Sequence, residues 1–351
     1  MRNLGRNRGL RHVAILLMLG LWATSASPAE TPVTATVIVN GGGATSAVTL
    51  LKRWFGDFAR VDPSAQFNYQ AVGSGKGQKL IEDRLIDFGV SDAPMNNEAL
   101  ANAPGKILQV PIVGAANVII FNLHGVKELR LDGPTLAGIY LGRITGWNDP
   151  AIAKLNPGVK MPDVQITVAH RSDGSGSTYI LTDYLCQLSP EWNLKVGRYM
   201  AVNWPAGTGF VGNGAMSNYV KKTPGAIGYV DLIFATQNQL TYASIRNAAG
   251  NYVKASPESI TAAINTTRVP DDMRLSIVNA PGPAAYPIAG LLWALVYATP
   301  QDAARGQKLV AFLKWADTDG QKTARELNFA PLPDNLRRRV LAEIDSIATR
   351  R

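Results

Sequence analysis

The sequence predicts an α/β protein, and three observations carry that reading. Short alternating apolar runs recur as strands, a glycine- and serine-rich turn follows each, and the next segment has apolar residues at helical spacing. Elements in that order bury their apolar faces as a mostly parallel sheet covered by helices. With 351 residues, 46% of them hydrophobic, the chain has enough material for one large or two medium domains.

The first thirty residues stand apart. Arg2, Arg6, Arg8 and Arg11 precede the apolar run from Val13 to Trp22, and the small residues "ATSASPAE" follow. This is the layout of a secretory signal peptide, residues 1–29, cut near Ala26 or Ala29. The apolar run is shorter than the roughly 20 residues that span a bilayer, and no later segment approaches that length. No cysteine follows the leader to carry a lipid, and the single thiol, Cys186, permits no disulfide within the chain. Cys186 falls in the apolar-patterned "YILTDYLCQL" and reads as a buried, inert thiol. A soluble protein of the cell envelope or exterior is expected. Of the formal charge of +9, four units belong to the leader arginines, so the remainder is mildly basic. No long basic run of the kind that tracks nucleic acid is present. The densest cluster, "NLRRRV" at 335–340, reads as a solvated helix face.

Along the chain, "TATVIVN" alternates as a strand, "GGGATS" turns, and Ala47, Leu51, Trp54, Phe55 and Phe58 recur as one face of a helix that Thr45 or Ser46 opens. Next, "QFNYQAV" reads as a strand, "GSGKG" as a glycine loop, "QKLIEDRLI" as a helix and "DFGVS" as a short strand. A third copy runs from the strand "VQITVAH" through the loop "RSDGSGS" to the helix "TYILTDYLCQL". Two unusually apolar runs, "VPIVGAANVIIFNLHGV" at 110–126 and "YPIAGLLWALVYA" at 286–298, read as crossovers between two lobes. That reading places residues 30–112 and 285–351 in lobe I and 113–284 in lobe II. Two amphipathic helices separated at "NFAPLPDN" close the chain.

Most familiar chemistries fail on these residues. Outside the leader only His124 and His170 remain, with no cysteine or histidine pair at ligand spacing, so no metal site is expected. "WNDPAI" at 147–152 reads as a helix start, not a calcium loop. "GSGKG" lacks the hydroxyl residue after its lysine and fits neither nucleotide fingerprint. "GVSDA" at 89–93 approaches a nucleophile elbow but ends in alanine, and a serine esterase or phosphatase would need a histidine base beside Ser91. Anion binding accounts for more of these residues. Helix N-termini offer unpaired N–H groups and partial positive charge, serine and threonine hydroxyls add donors, Arg171 presents a planar fork, and Asp173 can orient it.

With those loops in place, the chain resembles the periplasmic phosphate-binding proteins of bacterial high-affinity phosphate ABC transporters. The resemblance rests on "GGGAT", "GSGKG", "DFGVSDAP", "IYLGRITGWNDPAIAKLNPGVKMP", "RSDGSGST", "VNWPAGTGFVGN" and "GAIGYVDL". It implies a two-lobe periplasmic-binding-protein-like fold of type II, with the ligand in the interlobe cleft and no cofactor or reaction. The implied phosphate contacts are Thr45, the N–H of Ser46, Ser74, Asp92, Arg171, Ser175, the N–H of Gly176 and Ser177, with Asp173 supporting the arginine. It further implies a monomeric periplasmic receptor that hands phosphate to membrane permease subunits. A relative tuned to arsenate or a phosphate ester, or acting as a sensor or adhesin, is the alternative. Three departures stand out: "SAVT" replaces the usual Phe-Pro-Ala-Pro so that Ser46 alters the pocket wall, Ser177 replaces threonine, and Asp231 replaces glutamate.

Overall fold

A computed structural model describes residues 35–348, so the predicted signal peptide lies outside the described residues. Strand β1 (Val37–Gly43) leads through a 3-10 turn, Thr45–Ala47, into α1 (Val48–Phe58). The glycines expected in a turn are the last three residues of the strand. Gly43 explains why: its φ is +140°, and a Cβ there would lie 2.0 Å from the carbonyl oxygen of Val90. Neither Thr45 nor Ser46 caps the helix through its side chain.

Strand β2 (Ala65–Ala71), α2 (Ser74–Glu82) and β3 (Phe88–Ser91) repeat the pattern, with β1 parallel to both strands. Helix α2 starts four residues earlier than the sequence pattern placed it. The "GSGKG" loop is therefore largely a first helical turn, entered through Gly73 at φ +88°. After α3 (Asn97–Asn102) comes β4 (Ile107–Phe121), fifteen residues long and buried throughout. The chain continues through β5 (Arg130–Leu131), α4 (Gly133–Tyr140) and α5 (Pro150–Leu155), the last capped by Asp149 as "WNDPAI" requires. Then follow β6 (Thr167–Arg171), α6 (Gly176–Leu188), α7 (Pro190–Lys195), β7 (Thr208–Phe210), α8 (Gly212–Lys222) and β8 (Ala226–Asp231). Cys186 lies on α6 and is half-buried.

A small sheet joins β5 to β9 (Ser244–Arg246) and β10 (Tyr252–Val253), after α9 (Leu232–Gln237); α10 (Pro257–Asn265) precedes β11 (Ala289–Tyr297). The main sheet runs β2-β1-β3-β11-β4-β8-β6-β7. Its outer strands are parallel as expected, but β11 is antiparallel to β3 and β4, and β4 is antiparallel to β8. These two strands are the apolar runs read as crossovers. Strand β4 changes partner along its length: Ile107–Ala116 pair with β11, and Asn117–Phe121 pair with β8. Among the described residues no helix is long and apolar enough to cross a membrane.

The C-terminal segment forms three helices, not two: α11 (Ala303–Asp317), α12 (Gly320–Glu326) and α13 (Asp334–Asp345). The extra break exposes the carbonyl of Gly320 to the indole N–H of Trp54, 2.9 Å away. Trp54 is fully buried and meets Phe312 and Trp315 edge-on. "NLRRRV" is more than a solvated face. Arg339 donates to the carbonyls of Val269 and Pro270, and Arg337 to that of Asp317. Because Trp54 fills the joint between α1, α11 and α12, Trp54→Ala is expected to cost about 3–5 kcal/mol in urea unfolding. A loss below about 1 kcal/mol would show that the joint collapses around the gap.

Candidate functional site

The site forms where strands end and helices begin. Strand β1 ends at the turn carrying Thr45 and Ser46, β2 precedes α2 with Ser74 as its first residue, and β3 is followed directly by Asp92. From the other half of the main sheet, β6 ends at Arg171 and α6 begins at Gly176 behind its cap, Ser175. Helix α6, like α2, starts inside the stretch read as a loop. Such first turns leave N–H groups without intrahelical partners and concentrate partial positive charge.

Asp92 is the centre of one half of the site and is 3% exposed. Its Oδ1 accepts the Ser46 hydroxyl at 2.6 Å and its Oδ2 the Ser74 hydroxyl at 3.0 Å. Burial pushes its carboxyl up, while the two serine hydroxyls and the Arg171 charge oppose that push. Helix α6 starts directly against this group: a Cβ on Gly176 would lie 2.5 Å from the Asp92 Cβ and 2.7 Å from the Ser74 hydroxyl. Position 176 therefore admits only glycine at this separation.

Arg171 supplies the cation, buried at the end of β6. Its Nε donates to Asp173 Oδ1 at 2.7 Å and its Nη2 to Asp173 Oδ2, a two-pronged pair. Burial pushes the Asp173 carboxyl up, but Arg171 and the N–H of Gly212 outweigh it and hold the group below its ordinary range. The Arg171 backbone is fixed as well, its N–H donating to the Tyr229 hydroxyl at 3.0 Å. His170, the preceding residue, stacks on Trp204 with ring centroids 4.9 Å apart.

The two halves touch through these same loops. The N–H of Gly75 donates to the carbonyl of Gly174 at 2.9 Å. Thr45 Oγ1 accepts from Asn213 Nδ2 at 3.1 Å, and Asn213 Nδ2 also reaches Asp231 Oδ2 at 3.0 Å. Ser177 donates its hydroxyl to the same Asp231 oxygen at 2.9 Å. The assembly thus gathers three serine hydroxyls, one guanidinium and three carboxyls around the starts of α2 and α6. It brings many short donors to a small space beside two buried carboxyls, Asp92 and Asp231.

Comparison with known proteins agrees with this geometry. A family profile described as a PBP superfamily domain matches residues 26–319. "Phosphate-binding protein PstS" of Xylella fastidiosa strain 9a5c is 40% identical over 322 residues, covering 91% of this chain and 88% of the relative. The protein of that name from Haemophilus influenzae is 36% identical, covering 84% of this chain and 89% of its own. The chain belongs to the PstS family of the PBP superfamily. Among solved structures, a high affinity periplasmic phosphate-binding protein bound with phosphate superposes at a TM-score of 0.71 with 21% identity, covering 87% of this chain and 93% of the other. A putative phosphate ABC transporter substrate-binding protein from Clostridium perfringens, with bound phosphate, gives 0.64 at 17% identity over 85% of this chain and all of its own. At such identities the likeness concerns the fold, the two-lobe type II arrangement of periplasmic binding proteins.

Against the PstS family pattern, the sequence-predicted residues Thr45, Ser46, Ser74, Asp92, Arg171, Asp173, Gly176 and Ser177 come together. Ser175 sits among them but its oxygen accepts the Thr178 N–H at 3.2 Å, the work of a helix cap. Ser46, read from the sequence as altering the pocket wall, donates its hydroxyl to Asp92. Ser91 points elsewhere, donating to the Ala93 carbonyl at 2.6 Å. Sequence reasoning assigned no role to Asn213 or Asn117. Asn117 holds the carbonyl of Ser177 through its Nδ2 at 2.7 Å, and an asparagine inside a long apolar run was the signal for it. Nothing local in "FVGNGA" marks Asn213, whose partners come from the 3-10 turn and β8.

The Arg171–Asp173 pair leads to a paired expectation. Asp173→Ala leaves a buried guanidinium without its partner and is expected to cost about 3 kcal/mol at neutral pH. Because the folded carboxyl is held below its ordinary 3.8, its contribution is full above that pH and is lost as pH falls through the lower folded value. Urea unfolding across the acid range should therefore show a shallower acid loss in the variant than in the wild type. Parallel curves would remove Asp173 from the acid response.

Proposed function

We propose that this chain is a receptor that captures inorganic phosphate in the cleft between its lobes and delivers it to the permease of a phosphate ABC transporter. The observation that carries the reading is the buried Asp92 carboxyl facing the start of α6 and the Arg171 fork, in a chain 40% identical to a protein named for phosphate binding. An acidic side chain beside an anion repels it unless the anion brings a proton to donate. Protonated phosphate does, and sulfate does not. A buried group left without its bond can discriminate by about 10⁴–10⁵.

Affinity follows from the donor set. A hydrogen bond to a charged group contributes roughly 1.5–3 kcal/mol, whereas a micromolar site needs only about 8 kcal/mol. Ser46 and Ser74 now donate to Asp92, and Ser177 to Asp231. On capture these hydroxyls turn to the anion's oxygens, Asp92 accepts its proton, and the N–H groups of Ser46 and Gly176 add donors, with Thr45 and Ser175 at the rim. The reading includes lobe limits near 112/113 and 284/285; the change of partner along β4 between Ala116 and Asn117 supports the first. Closure about those crossovers is a hinge motion that presents the permease with a ligand-dependent surface. A monomer secreted to the periplasm by its leader suits that task. Neither a metal nor an enzymatic step is required.

Calorimetry of the purified protein is expected to show phosphate binding at micromolar levels or tighter, with sulfate at least about 10³-fold weaker. Asp92→Asn should lower that phosphate-to-sulfate ratio by at least about tenfold, and Arg171→Ala should weaken both anions. Gly176→Ala, whose added methyl meets Asp92, should abolish binding while leaving a folded protein. An absence of heat and thermal shift at millimolar phosphate would falsify the reading.

A further inference from the structure

Beside Asp92 the cleft holds a second buried carboxyl to which the phosphate reading gives no task. Asp231 ends β8 and is 2% exposed. Its Oδ2 accepts both the Ser177 hydroxyl and Asn213 Nδ2, while its Oδ1, also out of water, has no hydrogen-bond partner among the described residues. Asp92 differs in having one hydroxyl donated to each oxygen, an arrangement that favours its charged form. A carboxyl with both donors on one oxygen and none on the other is less well served as the anion than Asp92 is.

The surrounding charges act in the same direction. Facing Asp231 are Asp92 from the end of β3 and Arg171 from β6, with Asp173 already engaging the guanidinium through both oxygens. Helix α6 contributes the uncharged Ser177 and α8 the uncharged Asn213, and the 3-10 turn reaches the group only through Thr45 on Asn213. One cation thus stands among three carboxyls before any anion arrives. Adding an anion to that excess in a dehydrated cleft is strongly unfavourable unless a carboxyl is neutral.

We propose that Asp231 is a further specificity-determining residue of this cleft, a neutral, proton-bearing carboxyl that positions Ser177 and whose ionisation closes the site to anions. The inference rests on the phosphate reading and deepens it. Burial first, and then the charge of Asp92, push the Asp231 carboxyl up to about 8, against the opposing pull of Ser177, Asn213 and Arg171. Below that pH the group is neutral and binding is complete. As pH rises through it, the anion must win the proton back, and affinity falls by up to about tenfold per pH unit.

The test is calorimetric titration of the full chain with inorganic phosphate from about pH 6.5 to about pH 9.5, each variant normalised to its own affinity at the acid end. The wild type is expected to lose about tenfold more affinity across this range than Asp231→Asn, which cannot ionise. Asn213→Ala removes a donor to the charged form, so the alkaline fall should move to higher pH. Parallel profiles for wild type and Asp231→Asn overturn the inference, as does a folded Asp231→Asn that binds at no pH, since asparagine mimics the neutral acid. If Asp231→Asn does not fold, an alkaline fall that Asn213→Ala leaves in place overturns it. A wild type that binds phosphate without any such fall overturns this inference alone, whereas one that binds none at any pH sinks the phosphate reading beneath it.

Discussion

A carboxylate removed from water must be given hydrogen bonds and a countercharge, and this requirement organises the cleft. Asp92 takes the Ser46 and Ser74 hydroxyls and lies within the field of Arg171. Arg171 in turn cannot be buried alone and is held by Asp173, which the N–H of Gly212 steadies. The network draws on the turn after β1, the first turn of α2, the end of β3, the end of β6 and the start of α8. Asp92 and its two serines belong to one half of the main sheet, Arg171, Asp173 and Gly212 to the other, and the charge of Arg171 acting on Asp92 links the two. Isolated buried ions are costly by several kcal/mol, so the arrangement is coupled throughout.

Backbone geometry makes that closeness attainable. Gly43 lets β1 lie against the carbonyl of Val90, and Gly176 lets α6 begin against Asp92. The glycines that look interchangeable in the sequence thus serve different contacts. Those in "GGG" close strand on strand, and the one at 176 closes helix on carboxyl. The two long apolar strands set the frame around them, because β4 is shared by β11 on one part and β8 on the other.

Much of this was legible in the sequence, and the reasons it was or was not are physical. Alternation located β2 and β6, which are only partly buried, short apolar runs located β1 and the fully buried β3, and the length of the apolar runs at 110–126 and 286–298 located β4 and β11. Helix starts were placed too late in α2 and α6. Glycine and serine count against helix by propensity, yet at a first turn they act as donors and caps, and contacts across the cleft override the penalty. The third C-terminal helix was hidden because its boundary depends on Trp54, far away in the chain. Within the site, Arg171, Asp173 and the serines of "RSDGSGS" stood out by type and position, whereas Ser74 and Asp92 were reached through the family resemblance. Asn213 did not, since its partners lie some 168 residues upstream and 18 downstream. Asp231 stood out only as a departure from a pattern, and its meaning waits on which of its oxygens is bonded.

The contact between the N–H of Gly75 and the carbonyl of Gly174 carries a consequence for how such a cleft evolves. It is a bond between main chains at two residues without side chains, so substitutions elsewhere in the lining neither form it nor abolish it. Ser46, Ser177 and Asp231, by contrast, meet their partners through side-chain oxygens. The side-chain contacts of the cleft can therefore change by substitution while this main-chain contact is inherited unaltered.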